Sequence, residues 1–178
     1  MTQGHSHAPL GVLFVCTGNI CRSPAAEGVF RHYLDARAGA DGPPPPDIAL
    51  DSAGVIDYHT GERADPRMRE AAARRGYRLD SLARRIDRAE IPDWSLIVAM
   101  DGGHLRELQA LAGGPDPRIR LLGEFLPGPG PDGPPDVPDP YYGAAAGFEQ
   151  VLDMLEAACP GLLTHCRGLA GGTLAGGA

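Results

Sequence analysis

Apolar runs bounded by turn residues occur at 10–15, 48–50, 95–100 and 119–122, each of strand length. Between them apolar residues recur at helical spacing. Val29, Phe30, Tyr33 and Leu34 predict the buried face of a first helix, and Met68, Ala71 and Ala72 a second that ends at Gly76. Leu105, Leu108 and Leu111 predict a third, and Phe148, Val151, Leu152 and Leu155 a last. Such alternation specifies an α/β fold, a parallel sheet covered by helices, with ligands at the carboxyl ends of the strands. Three stretches break the pattern: Gly42 to Pro46, Pro127 to Pro140, and a Gly/Ala-rich tail from Gly168. Consecutive prolines pair into neither sheet nor helix, so the first reads as a surface insertion. The second is a long loop inside a compact chain, and such loops tend to be functional.

At 178 residues the chain is of single-domain size. Its net charge is −7 and all its Lys+Arg content is Arg. An acidic chain without a basic run lacks the counterion release that drives nucleic-acid binding, so no such partner is expected. Met1 to Pro9 carries neither the basic start nor the apolar stretch of a signal peptide, and the run from Leu10 to Val15 is too short to span a bilayer. The reading is a cytoplasmic protein with no membrane insertion. Its 4 Cys then read as thiols, and no pair has the Cys-x2-Cys spacing of a zinc site, so neither metal nor other cofactor is expected.

The chemistry is concentrated where the first strand ends. Residues 10 to 24 read Leu-Gly-Val-Leu-Phe-Val-Cys-Thr-Gly-Asn-Ile-Cys-Arg-Ser-Pro. Cys16 and Arg22 bracket a short turn, so backbone N–H groups and one guanidinium can converge on an oxyanion above the sulfur. Ser23 and Pro24 read as the N-cap and first residue of the helix that follows. A helix N-terminus and Arg22 both favour the thiolate form of Cys16, which makes it the candidate nucleophile for attack on phosphorus. Arg22 would hold two phosphate oxygens in its planar fork and stabilise charge in the transition state. Asp132, Asp136 and Asp139, all in the long loop, are candidate proton donors between which spacing does not choose. His59 and His104 have no partner spacing and read as ordinary surface residues.

The segment resembles the signature of the low-molecular-weight protein tyrosine phosphatases, Cys-x-Gly-Asn-x-Cys-Arg-Ser-Pro; Cys16, Gly18, Asn19, Cys21, Arg22, Ser23 and Pro24 match every fixed position. Asp51-Ser52-Ala53-Gly54, Asp65-Pro66-Arg67, Leu96 to Asp101 and Asp139-Pro140-Tyr141-Tyr142-Gly143 continue the resemblance in family order, over residues 10 to 160. It implies a single-domain, flavodoxin-like, three-layer fold with a four-stranded parallel sheet. The domain would occupy residues 10–167, between a disordered tail at 1–9 and a flexible one at 168–178. The implied substrates are phosphotyrosine-containing proteins, and the product is inorganic phosphate.

Carried over residue by residue, the resemblance makes Asp139 the general acid and base and has Thr17, Gly18, Asn19, Ile20, Cys21 and Ser23 build the phosphate loop. In it Asn19 adopts a left-handed backbone, Ser23 faces the sulfur, and Ser52 hydrogen-bonds Asn19. Tyr141 and Tyr142 line the substrate cleft, as does Tyr58, where the family often has an aromatic. Cys21 can close a reversible disulfide with Cys16. The chain departs from the pattern at Ser81, where His is frequent.

Two relatives of this pattern compete. Thioredoxin-coupled arsenate reductases share the loop but relay oxidation through two further central Cys; here the remaining Cys159 and Cys166 lie near the end of the chain. Phosphoarginine phosphatases tend to carry Thr where this chain has Ile20. A non-catalytic phosphate-binding module would need no Cys, Arg and loop Asp together.

Overall fold

The computed structural model describes residues 9–128 and 130–172. Of the tails expected at 1–9 and 168–178, residues 1–8 and 173–178 lie outside the described residues. Strands β1 (Leu10–Cys16), β2 (Ile48–Gly54), β3 (Leu96–Ala99) and β4 (Ile119–Leu121) form one parallel sheet in the order β2-β1-β3-β4. The helices are α1 (Arg22–Ala38), α2 (Pro66–Arg74), α3 (Gly102–Ala112) and α4 (Ala145–Ala170).

The pleat of β1 distributes its side chains between two cores. Val12, Phe14 and Cys16 face the layer of α1, α2 and α4, while Leu13 and Val15 pack with Leu108 of α3 on the other side. This is the expected three-layer, flavodoxin-like α/β arrangement. The strand order reverses between β1 and β3, and a doubly wound sheet opens a crevice at such a switch point. Cys16 is the last residue of β1 and lies at that crevice.

Four local expectations are corrected. α1 begins at Arg22 with Cys21 as its N-cap, so Ser23 and Pro24 lie inside the first turn and Ser23 caps nothing. Residues Arg22 to Phe30 are all buried, because this half of the helix runs beneath the site; Tyr33 and Leu34 are only partly covered. β2 runs on from the apolar 48–50 segment through Asp51, Ser52 and Ala53 to Gly54, held in register by β1, where Cys16 opposes Gly54. α4 runs on to Ala170, so residues 168–170 of the expected flexible tail are helical, and Leu169 still packs on the core. The proline insertion has no regular structure, yet the Pro43 carbonyl accepts a hydrogen bond from Arg167 Nη2 at 2.8 Å.

Candidate active site

Residues 17–21 join β1 to α1 in one tight loop. Its carbonyls are engaged outward: those of Cys16, Thr17, Ile20 and Cys21 accept from Val55, Ile56, Asp65 and Ala25. By contrast, none of the amides of Thr17 to Cys21 donates to a described residue. Backbone N–H groups in a buried loop need partners, and a concave set of them is an anion site. Two residues permit the curl. Asn19 takes a left-handed φ of 58°, and a Cβ at Gly54 would stand 2.6 Å from the Thr17 carbonyl oxygen.

Ser23 stands at the centre of the loop. Its Oγ lies 3.0 Å from Cys16 Sγ, accepts from Asn19 Nδ2 at 2.8 Å, and lies 3.2 Å from the Ala53 carbonyl. Asn19 Oδ1 in turn accepts from the Arg84 backbone at 3.0 Å. The expected bond from Ser52 to Asn19 is absent: Ser52 Oγ donates to buried Glu27 at 2.8 Å, whose other oxygen takes Arg31 at 3.0 Å. Glu27, one α1 turn beyond Ser23, offers a charged acceptor and takes the hydroxyl, while both ends of the Asn19 amide are engaged by Ser23 and Arg84. Ser81 borders a separate surface pocket with Glu27 and Arg31, so that segment reaches Asn19 through the Arg84 amide instead.

Arg22 is 4% exposed and held from several sides. Nη1 donates to Asp101 Oδ2 at 2.9 Å and to the Val137 carbonyl at 3.0 Å. Nη2 makes longer contacts, 3.4 Å to Thr17 Oγ1 and 3.5 Å to Asp139 Oδ2. Burial works against the Asp101 carboxylate, but the His104 amide, the His104 ring and Arg22 outweigh it and hold it below the usual carboxylate range.

The long loop is pinned so that Asp139 reaches this guanidinium. Val137 is fully buried and its N–H donates to the Met100 carbonyl at 2.9 Å, while Asp136 accepts the Gly102 amide at the start of α3 at 2.9 Å. Asp136 is thus an anchor of the loop although it is exposed, as Asp132 is. Asp139 Oδ1 accepts the Tyr141 amide at 3.1 Å, and its side chain is 46% exposed.

Above the loop opens a cleft of about 360 Å³ lined by Cys16, Thr17, Gly18, Ile20, Cys21, Arg22, Ile56, Tyr58, His59, Asp139, Tyr141 and Tyr142. Tyr58 and Tyr142 are highly exposed, on opposite chain segments, and Tyr141 meets Tyr142 edge-on at 4.9 Å. Arg67, paired with Asp65 at 2.8 Å, lies 5.4 Å from the Tyr141 ring, so this pair braces the tyrosine wall; the Asp65 amide also holds the Ile20 carbonyl at 2.7 Å. Cys21 is 4% exposed; burial, then Asp65 and Cys16, push its thiol well up, so it stays protonated.

The structure overturns the reading of both histidines. His59 lines the cleft, with Nδ1 2.9 Å from Glu62. His104 is buried, with Nε2 2.8 Å from Thr17 Oγ1. Asp101, His104, Glu27 and Arg84 escaped the sequence reading. For the first two a signal existed: Asp101 ends the third apolar run, and His104 follows at the spacing of a helix cap.

Residues 11–169 match the model of the low molecular weight phosphotyrosine protein phosphatases. A Streptomyces coelicolor low molecular weight protein-tyrosine-phosphatase is 47% identical over 161 residues, covering 88% of this chain and 93% of that protein. A crystal structure of a protein tyrosine phosphatase from Entamoeba histolytica superposes with a TM-score of 0.78 at 36% identity, over 93% of this chain and 99% of that one. A Drosophila arginine phosphatase superposes with a TM-score of 0.74 at 30% identity, over 86% and 96%. Fold, loop and relatives agree: the chain belongs to the low molecular weight phosphotyrosine protein phosphatase family.

Proposed function

We propose that this phosphatase hydrolyses phosphotyrosine in proteins through a cysteinyl-phosphate intermediate formed on Cys16. The observation that carries the reading is the convergence of the Cys16 sulfur, the Arg22 guanidinium and the Asp139 carboxyl on one cleft. Nη1 of Arg22 is committed to Asp101 and Val137, which leaves the loosely held Nη2 side for two phosphate oxygens. The loop amides take the remaining negative charge as it grows in the transition state. Sulfur attacks phosphorus as the P–O bond breaks, and Asp139 protonates the departing phenolate. The same carboxylate then takes a proton from water as the water attacks the phosphocysteine, releasing inorganic phosphate and the thiolate. Asp139 stays near enough to Arg22 to take part in both halves.

The tyrosine walls favour a flat aryl group whose phosphate reaches down to the loop; a short phosphoserine would not bring its phosphorus to the sulfur. Ile20 offers an apolar surface at 8% exposure, and the polar side of a phosphoarginine would be left unpaired against it. Four free thiols suit a reducing cytoplasm, and no helix among the described residues is long and apolar enough to cross a membrane. A redox relay is not favoured: Cys159 and Cys166 are buried within α4, which pushes both thiols up to about 12. The test is kcat/KM for phosphotyrosine and phosphoarginine peptides in the native chain, Cys16→Ser and Ile20→Thr. Phosphotyrosine should be preferred and Cys16→Ser inactive, with Ile20→Thr gaining relative activity on phosphoarginine. A native preference for phosphoarginine overturns the assignment.

A further inference from the structure

His104 closes a ring of polar contacts around the catalytic arginine. Its Nε2 is 2.8 Å from Thr17 Oγ1, its Nδ1 is 3.2 Å from Asp101 Oδ1, and its backbone N–H donates to that same oxygen at 2.9 Å. Asp101 Oδ2 receives Arg22 Nη1, and Arg22 Nη2 reaches back to Thr17 Oγ1. The ring is 3% exposed, and its Nδ1 makes no aligned hydrogen bond with any described residue, only the bent approach to Asp101.

Charge selects the polarity. A bare Nδ1 lone pair 3.2 Å from the Asp101 carboxylate oxygen would be repelled by it, so Nδ1 carries the hydrogen of a neutral ring and Nε2 its lone pair. Thr17 Oγ1 can meet that arrangement: it accepts from the Arg22 guanidinium, which only donates, and has its one proton to give to Nε2.

Taking the phosphatase reading as given, we propose that His104 is a positioning residue for the reaction: as the neutral Nδ1–H tautomer it orients Asp101 and Thr17 together and so aims the Arg22 guanidinium at phosphate. Neutrality fits the surroundings. Burial lowers the affinity of the ring for a proton to about 4; Asp101 opposes that, Arg22 reinforces it, and Asp139 and Asp136 oppose it more weakly.

The test has two arms. In native protein labelled with ¹⁵N-histidine at neutral pH, the His104 signals should be those of a neutral ring protonated at Nδ1; an imidazolium or an Nε2–H tautomer overturns the proposal. In the second arm, kcat, KM and inhibition by inorganic phosphate are measured for an aryl phosphate, per active site counted from the phenol burst. His104→Phe should lose about 10²-fold in kcat/KM and bind phosphate more weakly, the scale expected for a misaimed catalytic group. The loss should be non-additive with Asp101→Asn, since both act through Arg22. His104→Gln, whose amide oxygen can accept from Thr17, should recover most of it. A merely structural role would lower the melting temperature and the count of active sites but leave the per-site constants at native values, and that result overturns the proposal. Should His104→Phe not fold, the native spectrum still decides. A native chain that neither cleaves the ester nor binds phosphate overturns the phosphatase reading itself, whereas an active native chain with native per-site constants in His104→Gln and His104→Phe overturns only the positioning role.

Discussion

Ser23 Oγ stands 3.0 Å from the Cys16 sulfur, with Asn19 donating to that oxygen from the other side. Ser23 has one proton to give. With a protonated sulfur it goes to the Ala53 carbonyl, and with a thiolate it turns to the sulfur, so the hydroxyl follows the charge through the reaction. Ser23→Ala removes that donor and leaves the Asn19 amide without its acceptor. The expected outcome is slower alkylation of Cys16 by iodoacetate at neutral pH and a loss in kcat of about tenfold, the scale of one charge-assisted hydrogen bond. Alkylation at the native rate would make Ser23 a packing residue.

Asp139→Asn should lose far more on esters with poor leaving groups than on activated ones, because only the former need a proton. General acid catalysis is worth about 10²–10⁴-fold. Asp136→Asn retains an oxygen for the Gly102 amide and should show a small loss independent of the leaving group. A plot of log kcat against leaving-group acidity for both variants checks the assignment, and a steeper slope for Asp136→Asn would move the acid role there.

Cys21 is buried beside the nucleophile and stays protonated, which keeps it out of the phosphoryl chemistry but leaves a thiol able to capture an oxidised Cys16. Condensation of a Cys16 sulfenic acid with the Cys21 thiol would form a disulfide and release water. Peroxide inactivation of the native chain should therefore be reversed by a dithiol, and much less so in Cys21→Ser. Equal recovery in both removes the protective role.

His104 also gives the fold an acid-sensitive point. Its ordinary value is 6.5 when unfolded and about 4 when folded, chiefly because burial disfavours the charged ring. Between those values the unfolded chain binds the extra proton, so acid draws the equilibrium toward unfolding. Stability complete above pH 6.5 is lost as the pH falls toward 4, by about 3 kcal/mol if His104 acts alone. Urea unfolding at pH 7, 5.5 and 4.5 should show this loss, with a shallower slope in His104→Gln. Equal slopes would remove His104 as the cause.

The sequence by itself determined the layout and the core chemistry. Apolar runs of strand length alternating with helical periodicity are local patterns, and they place β1, β3 and β4 closely and each helix on its segment, though not the far end of α4. Cys16, Arg22 and the loop between them lie in one short contiguous segment, so a linear reading finds them together. Tertiary structure decided everything that joins segments far apart in the chain. The strand order that puts the end of β1 beside that of β3 brings Asp101 and His104 to Arg22 and Thr17, across a separation of about eighty residues. No local periodicity encodes such a contact, because a buried histidine and a surface one have the same neighbours in sequence. The partner of Ser52 was decided the same way: packing β2 against α1 puts its hydroxyl on the Glu27 carboxylate. The choice of Asp139 over Asp136 as the group facing Arg22 followed from where the loop is pinned: the Val137 and Asp136 anchors fix its path, and the only carboxylate of the three that then reaches the guanidinium is the one just beyond them.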